Sequence, residues 1–168
     1  NSTSDLHQFI SQGDIMHANG LSYNQELDVI AVSVNFYSEV WFIDHSTTTE
    51  QAKTSNGGNY NKGGDLIYRF GNPSTYGSVN QQIFDFNHHP SFINNGSNFS
   101  LLIFNNNNKA GISKAMEFSL PNFNEIIDFE TNPNLIFEYS NEDMYFPRVG
   151  GAVRLPNGNT LICEGDYG

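Results

Sequence analysis

Short apolar runs recur along this chain, and Asn, Gly or Pro interrupts each of them before it reaches helical length. β-branched and aromatic residues dominate these runs, a composition typical of strands. No uninterrupted stretch keeps apolar residues at helical spacing. The sequence therefore predicts an all-β fold. We expect strands at residues 28–34, 39–44, 66–70, 101–104, 115–120, 126–129, 135–139 and 160–163.

Two of these predicted strands repeat each other. Residues 66–72 (LIYRFGN) resemble residues 135–141 (LIFEYSN), at an offset of 135 − 66 = 69. His17 and His88 precede comparable strand pairs at a similar offset, 88 − 17 = 71. A repeat of a few short strands indicates an array in which each sheet buries its face against the next one.

A third, shorter copy begins at Gly150 and turns at Asn157-Gly158. An Asn-Gly pair favours a hairpin with a type I′ turn, in which both central residues have positive φ. A β-propeller, with about four strands in each of roughly four to eight blades, is the architecture that such an array favours most. We expect one partial propeller domain over residues 1–168, with about two and a half blades. The expected blades cover residues 14–73, 84–142 and 147–168.

Charge and cysteine content exclude several classes of protein. The chain has 7 Lys and Arg against 18 Asp and Glu, for a net charge of −11. Nucleic acid is therefore not an expected partner, because phosphate binding needs clustered cations. Cys163 is the only cysteine, which excludes an intrachain disulfide and a zinc site built from several thiolates. No apolar run approaches the roughly 20 residues that span a bilayer.

Histidines are the main candidates for chemistry, and the chain has His7, His17, His45, His88 and His89. If the segment around His17 is an inner strand, the side chains of His17 and Asn19 project to the same face. Because His88 and His89 are adjacent, they point to opposite sides of an extended backbone, and only one can share a site with His17. These histidines can be read as hydrogen-bonded residues in turns. Equivalent positions in neighbouring sheets would instead bring His17 and His88 together at one end of the array.

A metal site is another interpretation of the same residues. His17 and His88 could join Asp14 or Asp85, although no spacing in the chain requires it. Carboxylates beside strands and turns are expected to be solvated or to cap turn backbone, namely Asp28, Asp65 and Asp128. The chain has no Ser-His-Asp elbow, Gly-rich phosphate loop or HExxH motif.

Five segments carry a resemblance to a known family. They are residues 14–19 (DIMHAN), 22–28 (SYNQELD), 38–50 (SEVWFIDHSTTTE), 63–73 (GGDLIYRFGNP) and 154–165 (RLPNGNTLICEG). In this order they resemble the bacterial aryl-sulfate sulfotransferases. The resemblance implies a six-bladed β-propeller that is periplasmic or secreted and needs no cofactor. It also implies transfer of a sulfuryl group from a phenolic sulfate ester to a phenol through a sulfohistidine intermediate.

The resemblance extends to individual site residues. His17 matches the histidine of the family's Asp-Trp-x-His-x-Asn motif, with Ile15 in place of Trp, and His88 matches the histidine of its Gln-His-Asp segment. The implied roles are a sulfuryl-binding and acid/base pair for His17 and His88, with Asn19 and Lys109 as supporting hydrogen-bond donors to the substrate.

The family's nucleophilic histidine would lie in a later blade, and no histidine follows His89 here. The chain begins at Asn1 without Met and stops soon after a strand-like run, so we expect a piece of a longer protein. We therefore expect the chain to be inactive alone. The expected partners are a phenolic sulfate and a phenol, with no membrane span.

Two other functions fit an all-β array. A non-catalytic propeller that binds glycan or protein would not need the histidines to converge. A propeller that holds a metal or a quinone is the other alternative.

Overall fold

The structure, a computed structural model, describes residues 12–96, 98–125, 127 and 132–165. Within these residues the chain is all-β, as the sequence predicts, and its sheets are antiparallel. Three short 3-10 helices lie in the connections of this part of the chain, at Asn35–Tyr37, Gln51–Lys53 and Pro73–Tyr76. No helix in the described residues is long and apolar enough to cross a membrane.

Two of the sheets have four strands, each arranged in sequence order. The first sheet consists of β1 (Ala18–Asn24), β2 (Val29–Val34), β3 (Glu39–Asp44) and β4 (Leu66–Phe70). The second consists of β5 (Asn87–Asn94), β6 (Phe99–Asn105), β7 (Lys114–Ser119) and β8 (Leu135–Tyr139). The predicted repeat therefore relates β4 to β8, and each of them is the fourth strand of its own sheet. The predicted strand at 126–129 falls almost entirely outside the described residues.

A two-stranded sheet follows, formed by β9 (Gly151–Arg154) and β10 (Thr160–Cys163). The predicted hairpin is confirmed, but its turn is not type I′. Gly158 donates its N–H to Leu155 O over 2.9 Å and has a φ of +87°, whereas Asn157 does not have a positive φ. A type I turn followed by a left-handed Gly needs only one residue with positive φ, which explains the difference.

The first strands of the three sheets are neighbours in space. β1 packs on β5, and β5 packs on β9. At the first of these contacts, a Cβ added to Gly20 would lie 3.0 Å from Pro90 Cδ and 3.1 Å from His89 N. A glycine in β1 therefore allows the two backbones to approach closely.

Alternating apolar residues from the first two sheets form the main core. The strands of the first sheet contribute Val29, Ala31, Val40, Phe42, Tyr68 and Phe70. Those of the second sheet contribute Leu101, Ile103, Met116 and Phe118. Aromatic rings pack against one another within this core, and the rings of Phe70 and Phe84 are tilted with 5.3 Å between their centroids. Burial of each large side chain stabilises the folded state by about 1.5–3 kcal/mol.

One face of β1 is exposed to solvent, because side chains alternate between the two faces of a strand. Leu21 is 66% exposed and Tyr23 is 48% exposed. Leu161 on β10, in the third sheet, is 55% exposed. Apolar side chains therefore remain uncovered on both the first and the third sheet.

Candidate functional site

His17 is the residue immediately before β1, with a φ of +49°. The condition under which His17 and Asn19 would project to the same face is therefore not met, because His17 precedes the strand and is not in extended backbone. Asp14 holds the residue at two points. Its Oδ1 accepts the His17 backbone N–H over 2.8 Å, and its Oδ2 lies 2.5 Å from Nδ1 of the ring. The ring also stacks on Phe36, with 4.8 Å between centroids.

His88 is the second residue of β5 and is 9% exposed. Its Nδ1 lies 2.7 Å from Oδ1 of Asn106. Burial lowers the pKa of His88 below its ordinary value, the hydrogen bond to Asn106 raises it, and the charge of His17 lowers it further. His17 and His88 are thus close enough to interact electrostatically although 71 residues separate them (88 − 17).

Asn106 supports His88 and follows the end of β6. Its Nδ2 donates to Phe146 O over 2.5 Å and to Val149 O over 3.2 Å, and its own carbonyl accepts from Ser113 Oγ over 3.0 Å. Sequence reasoning did not identify Asn106 as a site residue. The signal was the run of four asparagines at 105–108, which could be low complexity or a hairpin tip. The structure confirms the tip.

Asn19 belongs to a polar seam between β1 and β5, which we define as Asn19, Ser33, Asn35 and Asn87. The backbone oxygen of Asn87 accepts from Asn19 Nδ2 at 3.1 Å, Ser33 Oγ at 2.9 Å and Asn35 Nδ2 at 3.1 Å. The side chain of Asn87 donates to Ser33 Oγ over 2.7 Å and to Glu39 O over 2.9 Å. One N–H of the Asn19 amide is therefore used to join two sheets.

Lys109 lies in the turn between β6 and β7 and is directed to Asp85. Its Nζ is 3.6 Å from Asp85 Oδ1 and 3.4 Å from Gln82 Oε1, and its side chain is 74% exposed. Its backbone N–H donates to Asp85 Oδ2 over 2.6 Å. The contacts of Lys109 are thus with Asp85 and Gln82 rather than with His17 or His88.

The adjacent histidines of β5 have different partners. A bulge shifts the strand register between His88 and Ser91, and His89 has a φ of +53°. His89 Nδ1 lies 3.1 Å from Ala152 O on β9, and a Cβ on Gly151 would approach the same ring to 3.1 Å. His89 therefore contacts the third sheet, and His88 is the residue that interacts with His17.

Metal binding through these residues lacks a ligand cluster. Asp14 is bonded to His17, and Asp85 is bonded to Lys109. Across residues 12–96, 98–125, 127 and 132–165, no three His, Cys, Asp or Glu side chains come together in a way that could hold a metal ion.

Another histidine cluster lies on the surface, formed by Tyr23, Asp28 and His45. Oδ1 of Asp28 lies 2.7 Å from His45 Nδ1 and accepts the hydroxyl of Tyr23 over 2.8 Å. The hydrogen bond from His45, and next that from Tyr23, lower the pKa of Asp28, and the carboxylate raises the pKa of Tyr23. Asp28 was expected to be solvated or to cap a turn; it lies in an exposed cluster and also joins side chains from β1 and the end of β3.

No family model matches this chain, and no curated protein or solved structure is significantly similar to it. The class that the structure establishes is an all-β protein of antiparallel sheets.

Proposed function

We propose that the chain is part of a β-propeller enzyme of the aryl-sulfate sulfotransferase type. It would transfer a sulfuryl group from a phenolic sulfate ester to a phenolic acceptor. The observation that carries this proposal is the 3.1 Å hydrogen bond from Asn19 Nδ2 to Asn87 O, which joins the strand that follows His17 to the residue before His88 on the next sheet. Two imidazoles with different partners, one on each side of this contact, suit the two proton transfers that such a reaction needs.

The two imidazoles are held by different partners. The Asp14 carboxylate only accepts hydrogen bonds when ionised, so Nδ1 of His17 carries a proton. Burial favours the neutral ring of His88. We assign to His17 the binding of sulfuryl oxygens and donation of a proton to the departing phenolate, and to His88 acceptance of the proton from the incoming phenol.

The nucleophile of the proposed reaction is a further histidine outside this chain. The S–O bond to the donor phenol breaks as the bond from that imidazole to sulfur forms, and the acceptor phenol then takes the sulfuryl group. In this scheme the second N–H of the Asn19 amide donates a hydrogen bond to the substrate.

Lys109, the residue expected to supply positive charge near the sulfuryl group, is instead directed to Asp85. Arg148 is a second candidate, because the residues on both sides of it are bonded to the turn between β6 and β7. Pro147 O accepts from Asn108, and Val149 O accepts from Asn106. Arg148 is exposed and forms no ion pair with the described residues.

Three observations support a propeller. The sheets with four strands keep sequence order, the first strands of successive sheets are neighbours, and apolar residues remain uncovered on the first and third sheets. Such apolar faces suit burial against further sheets of the same kind. A periplasmic or secreted location is part of the same proposal and rests on the family resemblance alone.

The test is addition of 4-nitrophenyl sulfate to the chain, followed by NMR of its histidine rings. We expect the ring signals of His17 and His88 to shift together with one dissociation constant, while those of His45 do not move. Release of 4-nitrophenolate is expected only from a longer polypeptide that carries the further histidine. If the ester shifts neither His17 nor His88, the proposal is wrong, and a shift produced instead by glycans would favour the binding-module alternative.

A further inference from the structure

We infer that Asn106 is a positioning residue that holds His88 in the tautomer with its proton on Nδ1 and its lone pair on Nε2. The assignment of the His88 tautomer rests on the hydrogen bonds around Asn106. Its consequence for catalysis rests on the function proposed above.

The orientation of the Asn106 amide follows from its partners. Nδ2 faces two backbone carbonyl oxygens, Phe146 O at 2.5 Å and Val149 O at 3.2 Å. A carbonyl oxygen accepts hydrogen bonds and cannot donate them. The NH₂ group must therefore face these carbonyls, and Oδ1 must be the atom that faces His88.

The tautomer of His88 follows from the same rule. Oδ1 of an amide is an acceptor, so Nδ1 of His88, 2.7 Å away, must carry the proton. A neutral imidazole has one N–H, which leaves the lone pair on Nε2. Nε2 has no hydrogen-bond partner among the described residues. It is the ring atom at which neutral His88 can take a proton from a phenol, with a doubly protonated ring as the product.

Asn106 is itself firmly held, which makes it suitable for this role. Its backbone oxygen accepts from Ser113 Oγ at 3.0 Å, and the same hydroxyl accepts the Phe146 N–H over 2.9 Å. Ser113 is fully buried and Asn106 is fully buried. A small number of hydrogen bonds thus fixes the amide relative to β6, β7 and the segment that leads into β9.

The experiment measures which ring nitrogen of His88 carries the proton. The chain is labelled with ¹⁵N in histidine and long-range ¹H–¹⁵N spectra are recorded at about pH 8, where neutral histidine dominates. We expect a protonated Nδ1 and a bare Nε2 in the unaltered chain. A proton on Nε2 would overturn the inference without any variant.

Two substitutions separate positioning from general stability. Asn106→Ala removes the acceptor, so the Nδ1–H form should fall from nearly the whole population to a minority. Asn106→Asp keeps an acceptor for Nδ1 but loses the donors to Phe146 O and Val149 O, so the chain should be less stable. In the folded fraction the Nδ1–H form should persist, while the added negative charge raises the pKa of His88. The inference fails if the tautomer is the same in Asn106→Ala as in the unaltered chain. If Asn106→Ala does not fold, the measurement on the unaltered chain still decides it.

Asn108→Ala is the matched control. Asn108 lies in the same turn and donates to Pro147 O over 3.1 Å, but it does not contact His88. The tautomer of His88 should be unchanged in this variant. A change equal to that of Asn106→Ala would mean that the turn as a whole, and not the Asn106 amide, sets the tautomer.

The outcome is independent of the proposed function, because the tautomer is measured without substrate. An Nδ1–H ring in a chain that does not bind 4-nitrophenyl sulfate would remove the proposed function and leave the role of Asn106 intact. An Nε2–H ring in a chain that binds the ester would do the opposite.

Discussion

Two histidines in this molecule each place Nδ1 against a carboxylate, but their surroundings differ. His17 places its Nδ1 2.5 Å from an oxygen of Asp14, and His45 places its Nδ1 2.7 Å from an oxygen of Asp28. The side chains of both histidines are about half exposed, at 42% and 53%. A carboxylate on Nδ1 therefore does not by itself distinguish a site from an ordinary surface contact.

The difference lies in what each pair faces. His17 interacts with a second, buried imidazole, His88, from the neighbouring sheet. The Asp28 carboxylate is instead shared between His45 and the hydroxyl of Tyr23, at an exposed position within one sheet. Acid/base chemistry needs a second group that can transfer protons. Of these two clusters, only that of His17 lies beside a strand bonded to the neighbouring sheet next to a second imidazole, through Asn19 and Asn87 O.

The largest effect that would test this contrast is on sulfuryl transfer. Combined His17→Ala and His88→Ala substitutions in a longer, active polypeptide should lower kcat/KM by about 10²–10⁴-fold, since both proton transfers are lost. His45→Ala should leave kcat/KM unchanged, which makes it the control. Activity that survives the double substitution would show that the two clusters do not differ in the proposed way.

A second effect concerns the stability of the seam beside His88. Asn87→Ala removes the donors to Ser33 Oγ and Glu39 O in a fully buried position, so we expect the free energy of unfolding to fall by about 1–3 kcal/mol. The control is Asn94→Ala in the same strand, where the asparagine is exposed, with an expected change within about 0.5 kcal/mol. Urea unfolding measures both. Equal losses would contradict the assignment of the seam as a structural contact between sheets.

The pH dependence of stability gives a smaller effect that is specific to His88. Its folded-state pKa lies below the ordinary 6.5, so as the pH falls below that value the unfolded chain binds a proton first. The free energy of unfolding should therefore decrease as the pH is lowered from 6.5 to the pKa of folded His88. Urea unfolding as a function of pH should show a shallower slope in this window for His88→Gln, and an unchanged slope would contradict burial of the neutral ring.

The smallest effects are on the two carboxylates. His17→Gln should raise the pKa of Asp14, and His45→Gln should raise the pKa of Asp28, because each histidine is the main cause of a lowered value. Tyr23→Phe should also raise the pKa of Asp28, by less, and should not affect Asp14. Carboxyl ¹³C NMR titration measures these changes. A larger effect of Tyr23→Phe than of His45→Gln would show that the hydrogen bond from Tyr23 lowers the pKa of Asp28 more than that from His45 does.

Much of the fold could be predicted because strands and turns depend on neighbouring residues. The strands at 39–44, 66–70 and 135–139 have the predicted bounds, and their alternation places Phe42 and Phe70 in the core. The turn at Asn157-Gly158 was placed correctly, although its type was not. Turn type depends on loop length and strand twist as well as on the Asn-Gly pair.

The site was predictable only in part. The similar offsets in the repeat singled out His17 and His88, but not how either ring is held. A left-handed residue before β1 and a bulge in β5 change the direction of the side chains that follow. Strand alternation could therefore not predict the orientation of either ring. Asn106 was hidden in a run of four asparagines, whose members differ in the backbone and side-chain groups that they contact.

The sequence by itself determined an all-β chain, the repeat that relates β4 to β8, and the absence of any intrachain disulfide. These properties depend on residue type and on spacing over a few residues. Tertiary structure alone decided that His88 contacts Asn106, that Asp28 holds His45 and Tyr23, and that Lys109 is directed to Asp85. Hydrogen bonds span only about 3 Å. Their partners are therefore selected by how the sheets pack, which residue spacing does not specify.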